Sequence, residues 1–552
     1  MSAFTEGKPA PQPTTKSLWT ALYQRASADP NRLAVLSPFQ SGDLLSGLVQ
    51  PLPWESRHDS NFFGSLSRWS TKASRLVTSP SIILSYVLSW FLTAPDSDRN
   101  YLRWSFLELQ RATIRVASLF QRRGVPPGAA VLYFTPISAE WALLLSVSVL
   151  NRYSAVTFRK SALQPGNEHE LQEHIDSLSP SVIVVATEEE ARHFASKIDI
   201  KVTLGISLET FTSPAPVGWL CMADIVEEAT SDDSVCVDTS YTQPDIEDDD
   251  PNRTALIAYT SGSSGNAKGC PLSVHQLLSA LGHLSKLPLS LLPTPLALIC
   301  GVNSHSRWQA LTITSWATGN AVVLDASDSS AQSILVSLQT CRPVTLSLLV
   351  TAVKPIARAS NYSADAIKSV RYVHLIGSTI TMAILRVAQE TFPRAKILTN
   401  FAMTEATAIT TWADYGRPSV DNMPSWHGIA SSGQVAHGAA LKIVDAEGSI
   451  SEHGEVGQLH LRGDSVISDY VGGDRDRRAA FYTGDDGHRW FVSGDDAVID
   501  AKGLLYVLGR SEYTVRRDGK VVVPCTIEHF LEVEFPQCTV STQPPTASSC
   551  TF

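Results

Sequence analysis

The stretch "YTSGSSGNAKG", Tyr259 to Gly269, decides how this sequence is interpreted. It comes directly after the apolar run "TALIA" and before "CPLSVHQLL", which begins like a helix. A loop of glycines and hydroxyl-bearing residues after a buried strand presents backbone N–H groups and is typical of a phosphate cradle. Lys268 adds a mobile positive charge. The ordinary nucleotide loop, GxxxxGK followed by Ser or Thr, does not fit, and a flexible linker is the alternative.

Size and composition indicate a globular protein with more than one structural unit. The chain has 552 residues, more than a single hydrophobic core usually organises. Its composition, 43% apolar and 18% charged, is that of an ordinary globular protein. The formal net charge of −10 disfavours a general role in binding nucleic acid or anionic membranes, which need a basic face. We therefore expect small molecules and other proteins as partners, and no nucleic acid.

Cysteine usage and the apolar segments favour a cytoplasmic protein. The eight cysteines include no CxxC pair, which predicts reduced thiols and neither a disulfide framework nor a zinc site. The polar N-terminus lacks the apolar stretch of a signal peptide. The most apolar segment, Ser81 to Leu92, is twelve residues long and too short to span a bilayer. It predicts a buried helix and no stable membrane insertion.

The alternation of strand-like and helical patterns from about Leu102 to Val420 predicts an α/β fold. This part is expected to form a large domain of stacked parallel sheets flanked by helices. From Trp426 the pattern changes to short alternating stretches separated by glycines, which predicts an antiparallel, β-barrel-like subdomain. The acidic run at Asp245 to Asn252 is interpreted as a solvated linker, and 40–100 as an irregular insertion.

The glycine-rich stretch closely resembles the signature loop of the adenylate-forming superfamily. That superfamily includes acyl-CoA and aryl-CoA synthetases, luciferases and the adenylation domains of peptide synthetases, and its loop reads T-S-G-x-T-G-x-P-K-G. Ser264 stands for the usual threonine and Ala267 for the proline. The resemblance implies that this loop covers the β- and γ-phosphates of ATP. The matching positions that would bind nucleotide are Thr260, Ser261, Gly262, Ser263, Ser264, Gly265 and Lys268.

Two later motifs resemble the family's adenine and magnesium segments. "LIGSTIT", with Gly377, Ser378 and Thr379, stands where the family lines the purine. "NFAMTEAT" resembles the Y-G-x-T-E segment and contributes Asn400, Phe401, Thr404 and Glu405 to the expected site. By this resemblance Phe401 stacks on adenine, Thr404 hydrogen-bonds the α-phosphate, and Glu405 holds Mg²⁺. Ala402 replaces a glycine that lets the chain approach the nucleotide.

The segment "WFVSGDDAVIDAKGLLYVLGR" resembles the family's ribose-binding block. It implies that Asp495 chelates both ribose hydroxyls and that Arg510 reaches the same sugar. A second candidate carboxylate, Asp485 in "YTGDDG", lacks a downstream strand at the right distance. After Arg510 the family rotates a small domain about a hinge, here Glu512, and the matching segment places Gly519 beside the thiol tunnel.

The resemblance implies the following division of the chain: a disordered N-terminus at 1–17, an AMP-binding core at 18–425, the barrel-like subdomain at 426–510, a partial lid at 511–537 and a disordered tail at 538–552. The family's lid normally carries a P-x-x-x-x-G-K lysine near its end. This sequence has no such segment after Arg510, and three explanations stay open: a truncated gene model or fragment, a catalytically weakened adenylating enzyme, or a nucleotide-binding relic. The lost contact would otherwise stabilise charge as the acyl-adenylate forms.

Histidines offer one candidate for acid binding and one pair that is set aside. His305 in "VNSHSRW" lies nearest to the place where the family gates the carboxylate, although a buried structural histidine is the alternative. His169 and His174 in "HELQEH" would point roughly 140° apart on a helix, so we interpret them as solvated surface and not as a zinc site. No aspartate marks an amino-acid pocket, which favours a plain aliphatic or aryl acid.

These observations together predict ATP-dependent activation of a carboxylic acid to an acyl-adenylate with release of pyrophosphate. The resemblance implies ATP and Mg²⁺ as cofactors, and coenzyme A or the phosphopantetheine of an external carrier protein as the acceptor. The expected catalytic residues are Lys268, His305, Thr404 and Glu405. A non-catalytic nucleotide-binding relic and an inactive gene product are the alternatives.

Overall fold

The computed structural model describes residues 2–10, 15, 17–23, 29–52, 101–158, 160–164, 166–231, 249–260, 267–284, 296–301, 303–327, 329–407, 409–412, 418–472, 479–517 and 520–535. Several predictions lie outside these residues. They concern Ser261 to Gly265 of the signature loop, Gly519, most of the insertion with its apolar segment at 81–92, and the tail at 538–552.

The strands in chain order are β1 (Phe4–Glu6), β2 (Leu33–Ser41), β3 (Tyr101–Ser105), β4 (Ala130–Phe134), β5 (Ser154–Thr157), β6 (Val182–Val185), β7 (Leu204–Ser207), β8 (Trp219–Cys221), β9 (Thr254–Thr260), β10 (Lys268–Ser273), β11 (Leu296–Ile299), β12 (Ala321–Leu324), β13 (Thr345–Leu349), β14 (Tyr372–Ile376), β15 (Lys396–Thr399), β16 (Thr410–Thr411), β17 (Ser425–Trp426), β18 (Ile429–Ala430), β19 (Gln434–Val435), β20 (Ala439–Val444), β21 (Gly457–Gly463), β22 (Phe481–Thr483), β23 (Arg489–Ile499), β24 (Leu505–Arg510), β25 (Val515–Arg517) and β26 (Lys520–Val522).

The α-helices are α1 (Leu18–Tyr23), α2 (Phe106–Arg122), α3 (Ala139–Leu150), α4 (Glu168–Leu178), α5 (Glu188–Lys197), α6 (Met222–Thr230), α7 (Val274–Leu284), α8 (Ser306–Ala317), α9 (Ala331–Cys341), α10 (Val353–Arg358), α11 (Met382–Thr391) and α12 (Pro524–Glu534). No helix in the described ranges is both long enough and apolar enough to cross a bilayer.

Helix α2 shows how local sequence signals set these bounds. Ser105 accepts a hydrogen bond from the amide of Glu108, and the Glu108 carboxylate accepts one from the amide of Ser105 at 2.7 Å. This capping box satisfies donors that the first turn would leave unpaired. At the other end, Gly124 adopts a φ of 79°, a left-handed conformation that suits glycine and ends the helix.

The chain divides into two compact units. The first unit comprises Met1–Gln12, Thr345–Ser468 and Asp474–Phe552, and the second comprises Pro13–Val344 and Asp469–Gly473. In the second unit, seven strands pair in the order β10-β9-β5-β4-β6-β7-β8, parallel except for β10. Strands β11, β12 and β2 are also parallel there, with β3 antiparallel to β2. The predicted α/β architecture is confirmed.

The first unit combines a parallel and an antiparallel part. Strands β13, β14 and β15 are parallel to one another. Six strands form an antiparallel sheet in the order β1-β20-β21-β23-β22, with β24 paired to β23. The glycine-separated stretches after Trp426 therefore form antiparallel strands, as their alternation indicated. The proposed domain boundaries stay a prediction.

Two expectations about polar segments differ from the structure. Residues Phe4–Glu6 were expected to be disordered, yet they form β1 because their backbone pairs with β20. Asp249 was expected in a solvated linker, yet it is only 3% exposed and forms a two-point ion pair with Arg253 at 2.8 and 2.9 Å. The partner of β1, strand β20, is distant along the chain. The burial of Asp249 depends on an ion pair with Arg253, which amino-acid composition does not reveal.

Candidate functional site

Strands β23 and β24 bring the two predicted ribose residues together in the first unit. Asp495 and Arg510 are directly opposite in the antiparallel register, and Nε of Arg510 lies 3.6 Å from Oδ1 of Asp495. The guanidinium also donates from Nη1 to the carbonyl oxygen of Ser493 at 3.1 Å. The Asp495 carboxylate is only 12% exposed, whereas the Arg510 side chain is 48% exposed. The pair is therefore a fixed carboxylate beside a cation that reaches solvent.

Ser493 holds the backbone of this site in place. Its hydroxyl donates to the carbonyl oxygen of Leu459 at 2.8 Å and accepts from the amide of Asp495 at 3.0 Å. Gly494 between them has a φ of 75°, a left-handed conformation that other residues rarely adopt. The replacement of the family's threonine by Ser493 therefore keeps the hydroxyl in use.

Burial and neighbouring carboxylates perturb the Asp495 carboxyl. Burial raises its pKa to about 6, the Arg510 charge lowers it, and the negative charges of Glu405 and Asp496 raise it further. Glu405 and Asp495, which belong to motifs far apart in sequence, thus lie within electrostatic range of each other. Asp485, the second candidate carboxylate, is exposed to solvent.

A tight turn after β15 presents Thr404 and Glu405. Met403 and Ala406 close the turn by exchanging backbone hydrogen bonds of 3.0 Å, and Glu405 is 8% exposed. The carbonyl of Glu405 accepts from the amide of Ile467 at 2.9 Å. Just before the turn, the amide of Phe401 donates to the Thr410 hydroxyl at 2.7 Å. Backbone bonds thus fix the turn.

The Gly377–Thr379 turn follows β14 in the same unit. Gly377 has a φ of 88°, and a Cβ built on it would lie 2.7 Å from Cδ2 of Leu349. This position therefore requires glycine for both its conformation and its packing. A Cβ built on Gly509, the residue before Arg510, would lie 3.7 Å from the Thr379 hydroxyl. The turn that was predicted to border adenine is thus close to the strand that carries Arg510.

The described stem of the signature loop is a β-hairpin in the second unit. Thr260 and Lys268 are paired in register across β9 and β10, and the Thr260 hydroxyl lies 3.4 Å from the carbonyl oxygen of Lys268. The Lys268 ammonium lies over the Tyr470 ring, 5.5 Å from its centroid. Strand β10 was not predicted from the sequence, although the burial of Cys270 and Leu272 follows the alternation of a strand.

An aromatic cluster that the sequence analysis missed supports this stem. Tyr259 stacks on Phe158 at 4.2 Å and meets the edge of His174 at 4.6 Å between ring centroids. A cavity of about 60 Å³ lies beside these rings and Ala267. The interpretation of His174 as solvated surface is wrong: its side chain is 13% exposed, against 89% for His169. One face of helix α4 packs on the aromatic cluster, and the opposite face is exposed to water.

His305 occupies the N-cap of α8 in the second unit. Its Nδ1 accepts from the amide of Arg307 at 3.3 Å, so the proton of the neutral ring lies on Nε2. Burial lowers the pKa of His305, and the positive charge of Arg307 lowers it further. The residue therefore has a structural role as a cap and is uncharged at neutral pH.

The predicted positions in the first unit are Gly377, Ser378, Thr379, Asn400, Phe401, Thr404, Glu405, Asp495 and Arg510. Among them, Asp495 pairs with Arg510, Glu405 lies within electrostatic range of Asp495, and Thr379 lies close to Gly509. Thr260, Lys268 and His305 lie in the second unit. The described part of the chain contains no group of three or more His, Cys, Asp or Glu side chains suited to hold a metal ion by themselves.

Comparisons with known proteins find similar sequences and similar folds. The AMP-binding enzyme family matches residues 90–471. An acyl-CoA ligase of Pestalotiopsis microspora is 29% identical over 441 residues, covering 79% of this chain and 74% of the relative. An indoleacetate–CoA ligase of Aromatoleum aromaticum is 28% identical over 442 residues and covers 77% of each chain.

Solved structures share the fold at low sequence identity. ATP-bound MatB of Rhodopseudomonas palustris is similar with a TM-score of 0.65 and 18% identity, over 94% of this chain and 83% of that one. The O-succinylbenzoate coenzyme A synthetase of Bacillus subtilis, in complex with AMP, has a TM-score of 0.63 and 18% identity, over 95% and 83%. The fold is that of adenylate-forming enzymes.

Proposed function

Because this chain belongs to the AMP-binding enzyme family, we propose that it activates a carboxylic acid with ATP and transfers the acyl group to a thiol. A carboxylate oxygen attacks the α-phosphorus, the bond to the bridging oxygen breaks, and pyrophosphate leaves. A thiolate then attacks the acyl carbon and releases AMP. Such chemistry depends on positioning and charge compensation more than on proton transfer.

The observation that carries this proposal is the meeting of Asp495, Arg510 and Glu405. A buried carboxylate that stays ionised above a pH of about 6 is suited to accept hydrogen bonds from two ribose hydroxyls. The adjacent Arg510 is half exposed and can reach the same sugar. Gly377 leaves the backbone free of a side chain beside the expected purine, whose face would stack on Phe401.

Glu405 fits a magnesium role in which the nucleotide supplies the other ligands. Mg²⁺ usually keeps several waters and binds one or two carboxylates together with substrate phosphates. A single buried carboxylate at a fixed turn is consistent with that pattern. When bound, the ion would offset phosphate charge. Thr404 would hydrogen-bond the α-phosphate, and Lys268 would leave the Tyr470 ring to contact the departing pyrophosphate.

The acid and the acceptor are assigned by resemblance. Neutral His305 would border the acid carboxylate and donate from Nε2, the nitrogen that the cap leaves free for its proton. Coenzyme A is the favoured acceptor, because the relatives named above are CoA ligases. The phosphopantetheine of a separate carrier protein would present the same thiol.

Pyrophosphate exchange with a panel of carboxylic acids tests the proposal. We expect ATP-dependent exchange with at least one acid, and its loss in Asp495→Ala. A second measurement, ATP binding by calorimetry, separates the alternative: binding that Asp495→Ala abolishes, without exchange for any acid, would identify a non-catalytic nucleotide-binding protein. The absence of both would contradict the nucleotide site itself.

A further inference from the structure

Buried polar side chains lie just before α8 and along its first two turns, among them those of Asn303, Gln309 and Thr312. Asn303, Gln309 and Thr312 are 5%, 0% and 0% exposed. The Gln309 amide donates from Nε2 to the backbone carbonyl of Asn303 and, at 2.7 Å, to its Oδ1. A backbone carbonyl only accepts, so this contact fixes the orientation of the Gln309 amide, and the second contact then fixes the Asn303 amide.

These contacts leave one donor and two hydroxyl or carbonyl oxygens unused. Nδ2 of Asn303, Oε1 of Gln309 and the Thr312 hydroxyl are buried without a hydrogen-bond partner anywhere in the described ranges. Buried polar atoms are nearly always paired, and leaving one unpaired is costly. Since the first two atoms belong to amides already joined to each other, a single small group could satisfy both.

The position of these atoms connects them with the expected acid site. His305, Gln309 and Thr312 are spaced i, i+4 and i+7, which places them on one face of α8. The helix face that begins at the proposed carboxylate contact therefore continues with buried polar side chains. An alkyl chain lying along it would leave all three atoms unpaired.

We propose that the acid carries a hydroxyl or carboxamide group that accepts from Nδ2 of Asn303 and donates to Oε1 of Gln309. This inference rests on the proposed function, because it takes His305 to mark the carboxylate. It narrows the plain aliphatic or aryl acid that the sequence favours to acids with a hydrogen-bonding group along the chain or ring. Asn303 and Gln309 are then specificity residues, and they take no part in the reaction itself.

The test compares matched acids in pyrophosphate exchange: straight-chain and aryl acids, each with and without a hydroxyl or carboxamide. In the wild type we expect kcat/KM at least about tenfold higher for the best polar acid than for its apolar counterpart. Gln309→Met should bring this ratio close to one, and Thr312→Val should not raise it. Equal or better use of the apolar acid by the wild type would overturn the inference, as would a ratio that Gln309→Met leaves unchanged.

Thr314→Val is the matched control on the same helix. Thr314 is 8% exposed, but its hydroxyl donates to the carbonyl of Ala310, so the helix itself satisfies it. This variant should keep the wild-type preference for the polar acid. A comparable loss of preference in Thr314→Val would show that any change in α8 has this effect, and would count against the assignment.

A second measurement needs no activity. If the two amides serve a ligand, replacing both by apolar groups of similar shape in Asn303→Leu/Gln309→Met should leave the thermal midpoint of the ligand-free protein unchanged or higher. A decrease of more than about 5 °C would show that the amides serve the fold. A wild type that binds ATP but exchanges with no acid would instead contradict the proposed function, and the thermal result would still show whether the two amides serve a ligand or the fold.

Discussion

The Asp495 carboxylate faces the Arg510 guanidinium across two paired strands, with Oδ1 3.6 Å from Nε. Burial works against the charge on Asp495, and the nearby Glu405 and Asp496 add to this effect. The single cation therefore offsets only part of the cost of a buried negative charge. A charge kept in such a place at the expense of stability is common at functional sites.

Asp495→Asn should abolish most nucleotide binding. The neutral amide keeps the shape of the side chain but replaces one acceptor oxygen with a donor and removes the charge. We expect ATP affinity to fall about 10- to 100-fold in calorimetry, since hydrogen bonds to a charged group contribute about 1.5–3 kcal/mol. Asp485→Asn is the matched control because it changes an exposed aspartate in the similar "TGD" context. Equal losses in both variants would contradict the assignment to Asp495.

Asp495→Asn should also change how stability depends on pH. The pKa of Asp495 is raised from 3.8 to about 6 in the folded protein, so the unfolded chain releases this proton first. The wild type therefore loses stability relative to the variant as pH rises from about 4 to 6. At about 1.36 kcal/mol per pKa unit, the variant gains up to about 3 kcal/mol above pH 6.

Urea unfolding at several pH values measures this difference. We expect it to be smallest below pH 4 and to level off above pH 6. A difference that is constant from pH 4 to 8 would show that Asp495 titrates as in the unfolded chain. The same experiment establishes that lost ATP binding in Asp495→Asn is not caused by lost folding.

Gly377→Ala should destabilise the first unit more than a glycine replacement with the same backbone angle elsewhere. The new Cβ would approach Leu349 to 2.7 Å in addition to the strain of a φ of 88°. Gly448 has a φ of 87° and open space around its Cβ position, so Gly448→Ala isolates the backbone cost of about 1–2 kcal/mol. We expect about 1–3 kcal/mol beyond this for Gly377→Ala, because overpacking adds to strain.

The variant Gly377→Ala/Leu349→Ala is the control for the packing part. Truncating Leu349 removes the clash but not the strain, so the two changes should be non-additive in equilibrium unfolding. Additive losses in the free energy of unfolding would mean that contact with Leu349 does not restrict the side chain at position 377.

Sequence patterns predicted the elements whose signals are local. The apolar runs of β4, β6, β12 and β14 and the helical patterns that alternate with them depend on neighbours in the chain. The motif resemblance likewise selected Glu405 and Asp495, which the fold brings within electrostatic reach of each other. Their roles stay predictions.

The polar groups that tertiary contacts bury could not be predicted in this way. Asp249 is buried by pairing with Arg253, and His174 by packing on Tyr259 and Phe158. Composition assigns such residues to the surface because charged and polar side chains are mostly exposed. The unpaired amide atoms of Asn303 and Gln309 have no sequence signal either, since their state depends on a hydrogen bond made in the fold.

Lys268→Met should lower catalysis without unfolding the protein. In the structure its ammonium rests over the Tyr470 ring at 5.5 Å, a partly exposed contact that contributes about 0.5–1 kcal/mol. In the proposed reaction the same ammonium contacts the departing pyrophosphate, where a charged hydrogen bond is stronger. We expect kcat/KM for pyrophosphate exchange to fall about 10- to 100-fold, with the thermal midpoint unchanged within about 2 °C.

Lys160→Met supplies the comparison for this lysine. Lys160 is 64% exposed and forms an ion pair with Glu190 at 2.9 Å, so its loss removes a surface cation from the same unit. Exchange should stay at the wild-type level in this variant. A specific role for Lys268 requires that only Lys268→Met lower pyrophosphate exchange. If both replacements lower exchange equally, the loss is caused by the reduced positive charge of the unit as a whole. Restoration of exchange in Lys268→Arg would show that a positive charge at this place is sufficient.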